Sequence, residues 1–134
     1  MKKNVFLAAA VALGTMLMAT PVFAGNNGWN RDNRGWWYQF SNGSYARSSW
    51  VSVNNSWYFM DASGYMQTGW LNDGSGWYYL DTNNGNMCMG WVNVNGNWYY
   101  MNPANGGRML ANGYTPDGYY VDGNGVYRPG VGTA

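Results

Sequence analysis

Tryptophan falls on a lattice in this chain. Trp36, Trp57, Trp77 and Trp98 follow one another at steps of 21, 20 and 21 residues, and Trp29, Trp50, Trp70 and Trp91 each stand seven residues earlier. Eight of the nine tryptophans occupy these two positions, and only Trp37 stands off them. A turn glycine follows each pair, at Gly43, Gly64, Gly85 and Gly107, and two residues later comes Tyr45, Met66, Met87 or Met109. A period this short makes each unit one supersecondary element, too small to bury its own apolar face, so neighbouring units have to cover one another. The units run 28–48, 49–68, 69–89, 90–112 and a degenerate 113–128 that has Gly118 where the second Trp should stand. Terminal repeats are often atypical because they cap a stack. Arg128-Pro129-Gly130 then ends further pairing, since proline cannot donate to a ladder.

The local signals within a unit are those of a β-hairpin. Asn95-Gly96 is a strong two-residue turn pair, because both central positions of a type I′ turn need positive φ. Asn54-Asn55 and Gly74-Ser75 stand at the equivalent positions, and Asn33-Arg34 is the weakest of the four. The flanking runs, such as 91–94 and 97–101, are short and rich in strand formers. The predicted class is all-β, a solenoid of stacked hairpins joined by Gly/Asn-rich loops such as 81–86.

A turn at Asn95-Gly96 fixes which side chains share a face. Trp91 then opposes Tyr100 and Asn93 opposes Trp98, so Trp91, Asn93, Trp98 and Tyr100 lie together. Val92, Val94, Tyr99 and Met101 take the other face. The same alternation groups Trp70, Trp77 and Tyr79 against Leu71 and Tyr78, and groups Trp50, Trp57 and Phe59. The aliphatic face reads as core. The aromatic face has two readings. It packs neighbouring repeats, or its rings form cages for a quaternary ammonium group, each ring–cation contact contributing about 0.5–2 kcal/mol.

The N-terminus, MKKNVFLAAAVALGTMLMATPVFA, has two lysines, an apolar run and small residues before Ala24, the pattern of a secretory signal peptide cleaved after residue 24. Residues 25–134 then form the repeat domain, with no membrane span after cleavage. That part carries five Arg against six Asp and has no His, Glu or Lys, so neither a nucleic-acid patch nor the usual acids, bases and metal ligands are supplied. An enzyme, a cofactor and a metal site are not expected. The one cysteine, Cys88, cannot form an internal disulfide and reads as a small apolar filler.

The units SWVSVNNSWYFMDASGYMQTGW (49–70), GWLNDGSGWYYLDTNNGNMCMGW (69–91) and GWVNVNGNWYYMNPANGGRM (90–109) resemble choline-binding, or cell-wall-binding, repeats. That pattern is Gly-Trp, a second Trp opening Trp-Tyr-Tyr, then Gly-x-Met, and it covers nearly all of 25–134. The resemblance implies a left-handed β-solenoid on a secreted or surface protein. It also implies choline of teichoic acids as ligand, held by two Trp of one repeat, a Tyr of the next and often a Met. By position, Trp50 and Trp57 pair with Tyr79, Trp70 and Trp77 with Tyr100, and Trp91 and Trp98 with Tyr120. Met66, Met87 and Met109 hold the family's Met position. The second Tyr of each pair is the expected ligand contact. A weaker first site comprises Trp29, Trp36 and Phe59, with Arg34 in its turn. The rival ligand is a cell-wall glycan, for which Asn72 and Asn93 offer hydrogen bonds. A third reading is a self-associating surface rod, and the family has precedent for homodimers.

Overall fold

The computed structural model describes residues 27–131, and the expected signal peptide at 1–24 lies outside them. The described chain is all-β apart from a single 3-10 turn at Pro103–Asn105. It divides between Gln67 and Thr68 into two compact units. Among the described residues no helix is long and apolar enough to cross a membrane.

The first unit holds two antiparallel hairpins. β1 (Gly28–Arg31) pairs with β2 (Trp36–Gln39), and β3 (Ser49–Val53) with β4 (Ser56–Met60). The second unit holds β5 (Gly69–Asn72) with β6 (Trp77–Leu80), and β7 (Gly90–Val94) with β8 (Asn97–Asn102) and β9 (Arg108–Met109). It closes with β10 (Gly113–Tyr114) against β11 (Tyr120–Val121).

Turn chemistry sets the register. Asn54 and Asn55 have φ of 51° and 67°, and Asn95 and Gly96 have 51° and 88°, so both turns are of the type I′ kind that matches strand twist. Gly74, at φ 94°, opens a turn with glycine first, and Ser75 is held there by Asp73 Oδ1, which accepts its N–H at 2.9 Å and its hydroxyl at 2.6 Å. At Asn33-Arg34 the turn relies instead on Asp32, whose Oδ1 accepts the Arg34 and Gly35 N–H groups at 2.8 and 3.2 Å. The last hairpin is shortened to a three-residue loop, Pro116-Asp117-Gly118, with Gly118 N–H on Thr115 O at 2.9 Å and Thr115 N–H on Tyr119 O at 2.8 Å. Gly118 adopts φ 90° to complete that loop, a conformation costly for tryptophan, which explains why the second Trp is missing there.

Four of the five hairpins bury one residue of the second strand completely. Met60, Leu80, Met101 and Val121 are all inaccessible to solvent, and Val51, Leu71 and Tyr78 are buried on the same side of their hairpins. In the first hairpin the row position is taken by Gln39, whose Nε2 donates to Gly43 O at 3.2 Å while its buried Oε1 has no partner. The aspartates serve the loops. Asp61 Oδ1 accepts the N–H groups of Ser63 and Tyr65, Asp81 those of Asn83 and Asn84, and Asp122 those of Asn124 and Val126. Cys88 is half-buried and free, its thiol pushed up first by burial and then by Asp81, as suits a packing residue.

Candidate functional site

Cross-strand pairing stacks each first Trp on the second aromatic of its own hairpin. Trp50 meets Phe59 at 5.3 Å, Trp70 meets Tyr79 at 5.0 Å and Trp91 meets Tyr100 at 5.2 Å between ring centroids, all edge-to-face. The second Trp of each unit stands out into solvent: Trp36, Trp57, Trp77 and Trp98 keep 39–46% of their surface exposed. An exposed apolar ring beside a half-buried partner forms an open aromatic wall.

Within each unit the structure brings these walls against an aromatic ring of a following hairpin. In the first unit Trp29 lies 6.4 Å from Trp36 and 4.8 Å from Tyr58. In the second, Trp70 lies 6.2 Å from Trp77 and 4.8 Å from Tyr99. Trp91, Trp98, Tyr119 and Tyr127 line a cavity of about 320 Å³, with Trp91 6.1 Å from Tyr119 and 5.9 Å from Tyr127. These three groups are aromatic cages of one plan.

The ring supplied by the following hairpin differs from the sequence expectation. Tyr58, Tyr99 and Tyr119 reach the preceding tryptophans, where Phe59, Tyr100 and Tyr120 were the expected contacts. Alternation is the reason. Phe59, Tyr100 and Tyr120 are the direct cross-strand partners of Trp50, Trp91 and Tyr114, so they belong to their own hairpin's aromatic face. The neighbouring tyrosine points to the opposite face, which is the one turned to the preceding hairpin. Trp50 and Trp57 belong to the first unit and Tyr79 to the second, where Tyr79 lies on Trp70.

The methionines pack into glycines. Met87 sets its sulfur over Gly107, where a Cβ would come within 2.9 Å, and Met109 lies against Gly125 so closely that a Cβ would overlap it. Met66 packs on the core cluster of Ala46, Val51 and Met60 beside Trp29 and Tyr58, and its N–H donates to Trp36 O at 2.7 Å. In the last cage Tyr127 makes the matching bond, its N–H to Trp98 O at 2.8 Å, so it stands where the other units have methionine. Tyr127 is absent from the sequence expectation. The spacing Gly125-Val126-Tyr127 repeats the Gly-x-Met signal and was enough to find it.

Charge distinguishes the cages. The Arg31 guanidinium lies 5.5 Å from the centroid of Trp36, its direct cross-strand partner. Arg34, the cation expected at this site, lies instead 4.4 Å over Tyr65, whose hydroxyl donates to Asp32 Oδ2 at 2.7 Å. That hydrogen bond holds the Asp32 carboxyl below its ordinary range and raises the Tyr65 hydroxyl. In the last cage the Trp91 indole N–H donates to Asp117 Oδ2 at 3.3 Å. Asn72 and Asn93, opposite Trp77 and Trp98, turn their side-chain oxygens to the turn N–H groups of Gly74 and Gly96 at 2.9 and 3.2 Å.

Rings converging on a space with little charge, and with faces rich in electron density, are suited to a methylated cation that cannot hydrogen-bond. Residues 46–89 match the choline-binding repeat and residues 89–106 the cell wall binding repeat. Choline binding protein F of Streptococcus pneumoniae, solved in the presence of a peptidoglycan analogue, is 40% identical with a TM-score of 0.70 over 77% of this chain and 33% of its own. The choline binding domain of Spr1274 of S. pneumoniae is 40% identical with a TM-score of 0.53, over 59% of this chain and 92% of its own. The lysin of Pneumococcus phage Dp-1 is 39% identical over 41 residues, which are 29% of this chain and 14% of the lysin. The chain therefore spans a third of choline binding protein F and a seventh of the lysin. Because it covers 92% of the Spr1274 choline binding domain at 40% identity and matches both repeat types, the chain belongs to the choline-binding, cell-wall-binding repeat family.

Proposed function

We propose that this chain is a secreted, non-catalytic module that holds the cell wall by seating choline of teichoic acids in its aromatic cages, the hairpins following one another as a solenoid. The observation that carries the reading is the four-ring cavity of Trp91, Trp98, Tyr119 and Tyr127. Its volume of about 320 Å³ is at the lower end of ligand pockets, suited to a small headgroup rather than an oligosaccharide. The Trp70, Trp77 and Tyr99 group repeats the plan. Several weak sites on one chain raise wall affinity through effective concentration without any single tight contact. Self-association through the exposed second tryptophans belongs to the same proposal, and sedimentation with and without choline tests it.

A glycan ligand is the competing reading, favoured by the peptidoglycan analogue present with choline binding protein F. Against it, the turns engage the side-chain oxygens of Asn72 and Asn93 and leave only their amide N–H groups to meet a sugar hydroxyl. Titration with choline, following tryptophan fluorescence beside a panel of wall glycans and glucans, decides between them. Saturable quenching or a blue shift at millimolar choline is expected. Silence toward choline with saturable binding of a glycan overturns the proposal.

A further inference from the structure

The last cage has a feature that the other two groups do not share. Its walls Trp91 and Tyr119 are tied to one another through a carboxylate. The Trp91 indole N–H donates to Asp117 Oδ2 at 3.3 Å, and Asp117 Oδ1 accepts the Thr115 hydroxyl at 2.6 Å. Thr115 Oγ1 in turn accepts the Tyr119 N–H at 3.0 Å, and Thr115 itself is buried, so the relay is anchored in the core of the closing turn. Both donors to the carboxylate are neutral, so its charge is not cancelled. Arg128 makes its ion pair elsewhere, with Asp122 at 2.7 Å. The Thr115 hydroxyl above all holds the Asp117 carboxyl below its ordinary range, against an opposing effect of desolvation and with a lesser contribution from the Trp91 indole, so the group is ionised at neutral pH.

An anion on an indole N–H enriches the ring's electron density and adds its own field at the ring face, and both favour a cation. We propose that Asp117 is a specificity-determining residue of the Trp91, Trp98, Tyr119 and Tyr127 cage, making it prefer a cationic ligand to a neutral one of the same shape more strongly than the Trp70, Trp77 and Tyr99 cage does. This rests on the cage reading above. In that reading the ligand is a quaternary ammonium, and Asp117 acts on its charge through Trp91 rather than by touching it. A unit charge acting across one indole near a surface is worth about fivefold in affinity.

The test uses the full chain with ¹⁵N-labelled tryptophan, whose indole N–H resonances report each cage separately. Trp91 and Trp70 are assigned by loss of their signals in Trp91→Phe and Trp70→Phe. The unaltered chain and Asp117→Asn, which keeps the shape of the side chain and removes its charge, are titrated with choline and with its neutral isostere 3,3-dimethylbutan-1-ol. Asp117→Asn is expected to weaken choline at Trp91 about fivefold, and to leave the isostere at Trp91 and choline at Trp70 unchanged. Equal losses for choline and the isostere, or no loss for either, overturn the role of Asp117. If no indole of the unaltered chain responds to choline, the cage reading fails first and takes this inference with it.

Discussion

The first and last cages are built on one plan and carry opposite charge. Trp29 meets both Trp36 and Tyr58, with the Arg31 guanidinium on the Trp36 ring, whereas Trp91, Trp98, Tyr119 and Tyr127 line one cavity, with the Asp117 carboxylate on the Trp91 indole. An internal cation already uses the ring that an external cation needs, so the first cage is self-occupied in an electrostatic sense. In the last cage the fixed charge adds to the rings. A shared sequence lattice therefore specifies where the rings stand, and residues off the lattice decide whether a ring is available. Under the proposed function, affinity is concentrated at the end of the chain where the repeat is most degenerate.

The largest expected contrast lies in the glycines that precede the closing residues. Gly125 has φ 82° and no room for a Cβ because Met109 lies against it, while Gly43 in the first hairpin has φ 89° and nothing within 4 Å. Gly125→Ala combines backbone strain with overpacking and is expected to destabilise the fold by about 2–4 kcal/mol. Gly43→Ala carries the strain alone, about 1–2 kcal/mol. Urea unfolding of the two variants measures the difference, and equal losses would show that Met109 yields freely and that Tyr127 is not held through Gly125.

Truncating the exposed walls comes next. Trp98→Ala removes one face of the four-ring cavity from a residue that is nearly half exposed, so the fold is expected to survive while choline affinity of the last cage falls about tenfold. Trp36→Ala, at a ring already engaged by Arg31, is expected to change choline binding less than twofold. Calorimetric titration of both variants checks the pair. A larger loss for Trp36→Ala reverses the ranking of the two cages.

Most of this arrangement is legible in the sequence, and the exceptions have a common cause. Register is local: Asn95-Gly96 and Asn54-Asn55 fix it through φ, and alternation then assigns every side chain to a face. Followed through, that alternation already places Tyr100 beside Trp91, its own cross-strand partner, and leaves Tyr99 to face backwards. The expectation that the second tyrosine reaches the preceding repeat conflicts with it, because packing between hairpins is not encoded in the pairing of one. Arg31 opposite Trp36 is likewise a matter of register, whereas Arg34 sits in a turn, where sequence does not set the direction of a long side chain. Asp117 was out of reach, since its contact with Trp91 spans 26 residues and depends on a shortened loop.

Gln39 marks the first hairpin as different in its core as well as in its cage. It occupies the row held elsewhere by Met60, Leu80, Met101 and Val121, with a buried oxygen that lacks a partner. Gln39→Met removes that unpaired group and costs only the bond to Gly43 O, which is exposed and passes to water. A gain of about 1 kcal/mol is expected, read as a rise of a few degrees in melting temperature. Loss of stability instead would indicate that the amide has a polar role at this end of the repeats.

The smallest effect tests the charge contrast itself. The residue opposite the second Trp is Arg31, Ser52, Asn72 and Asn93 in successive hairpins, so Arg31→Asn gives the first cage the residue found in two of the others. Removing the guanidinium frees the Trp36 ring and is expected to strengthen choline binding there about twofold to threefold, the worth of one exposed cation–π contact. Asp117→Asn moves the last cage in the opposite direction, so the double variant should narrow the gap between the two cages by the product of the single effects, as expected for independent sites. Indole resonances of Trp29 and Trp91, followed in one titration, read both at once. If Arg31→Asn leaves Trp29 as weak a reporter as before, the first cage is limited by having three rings rather than by its resident cation, and Tyr127 rather than charge separates the two ends.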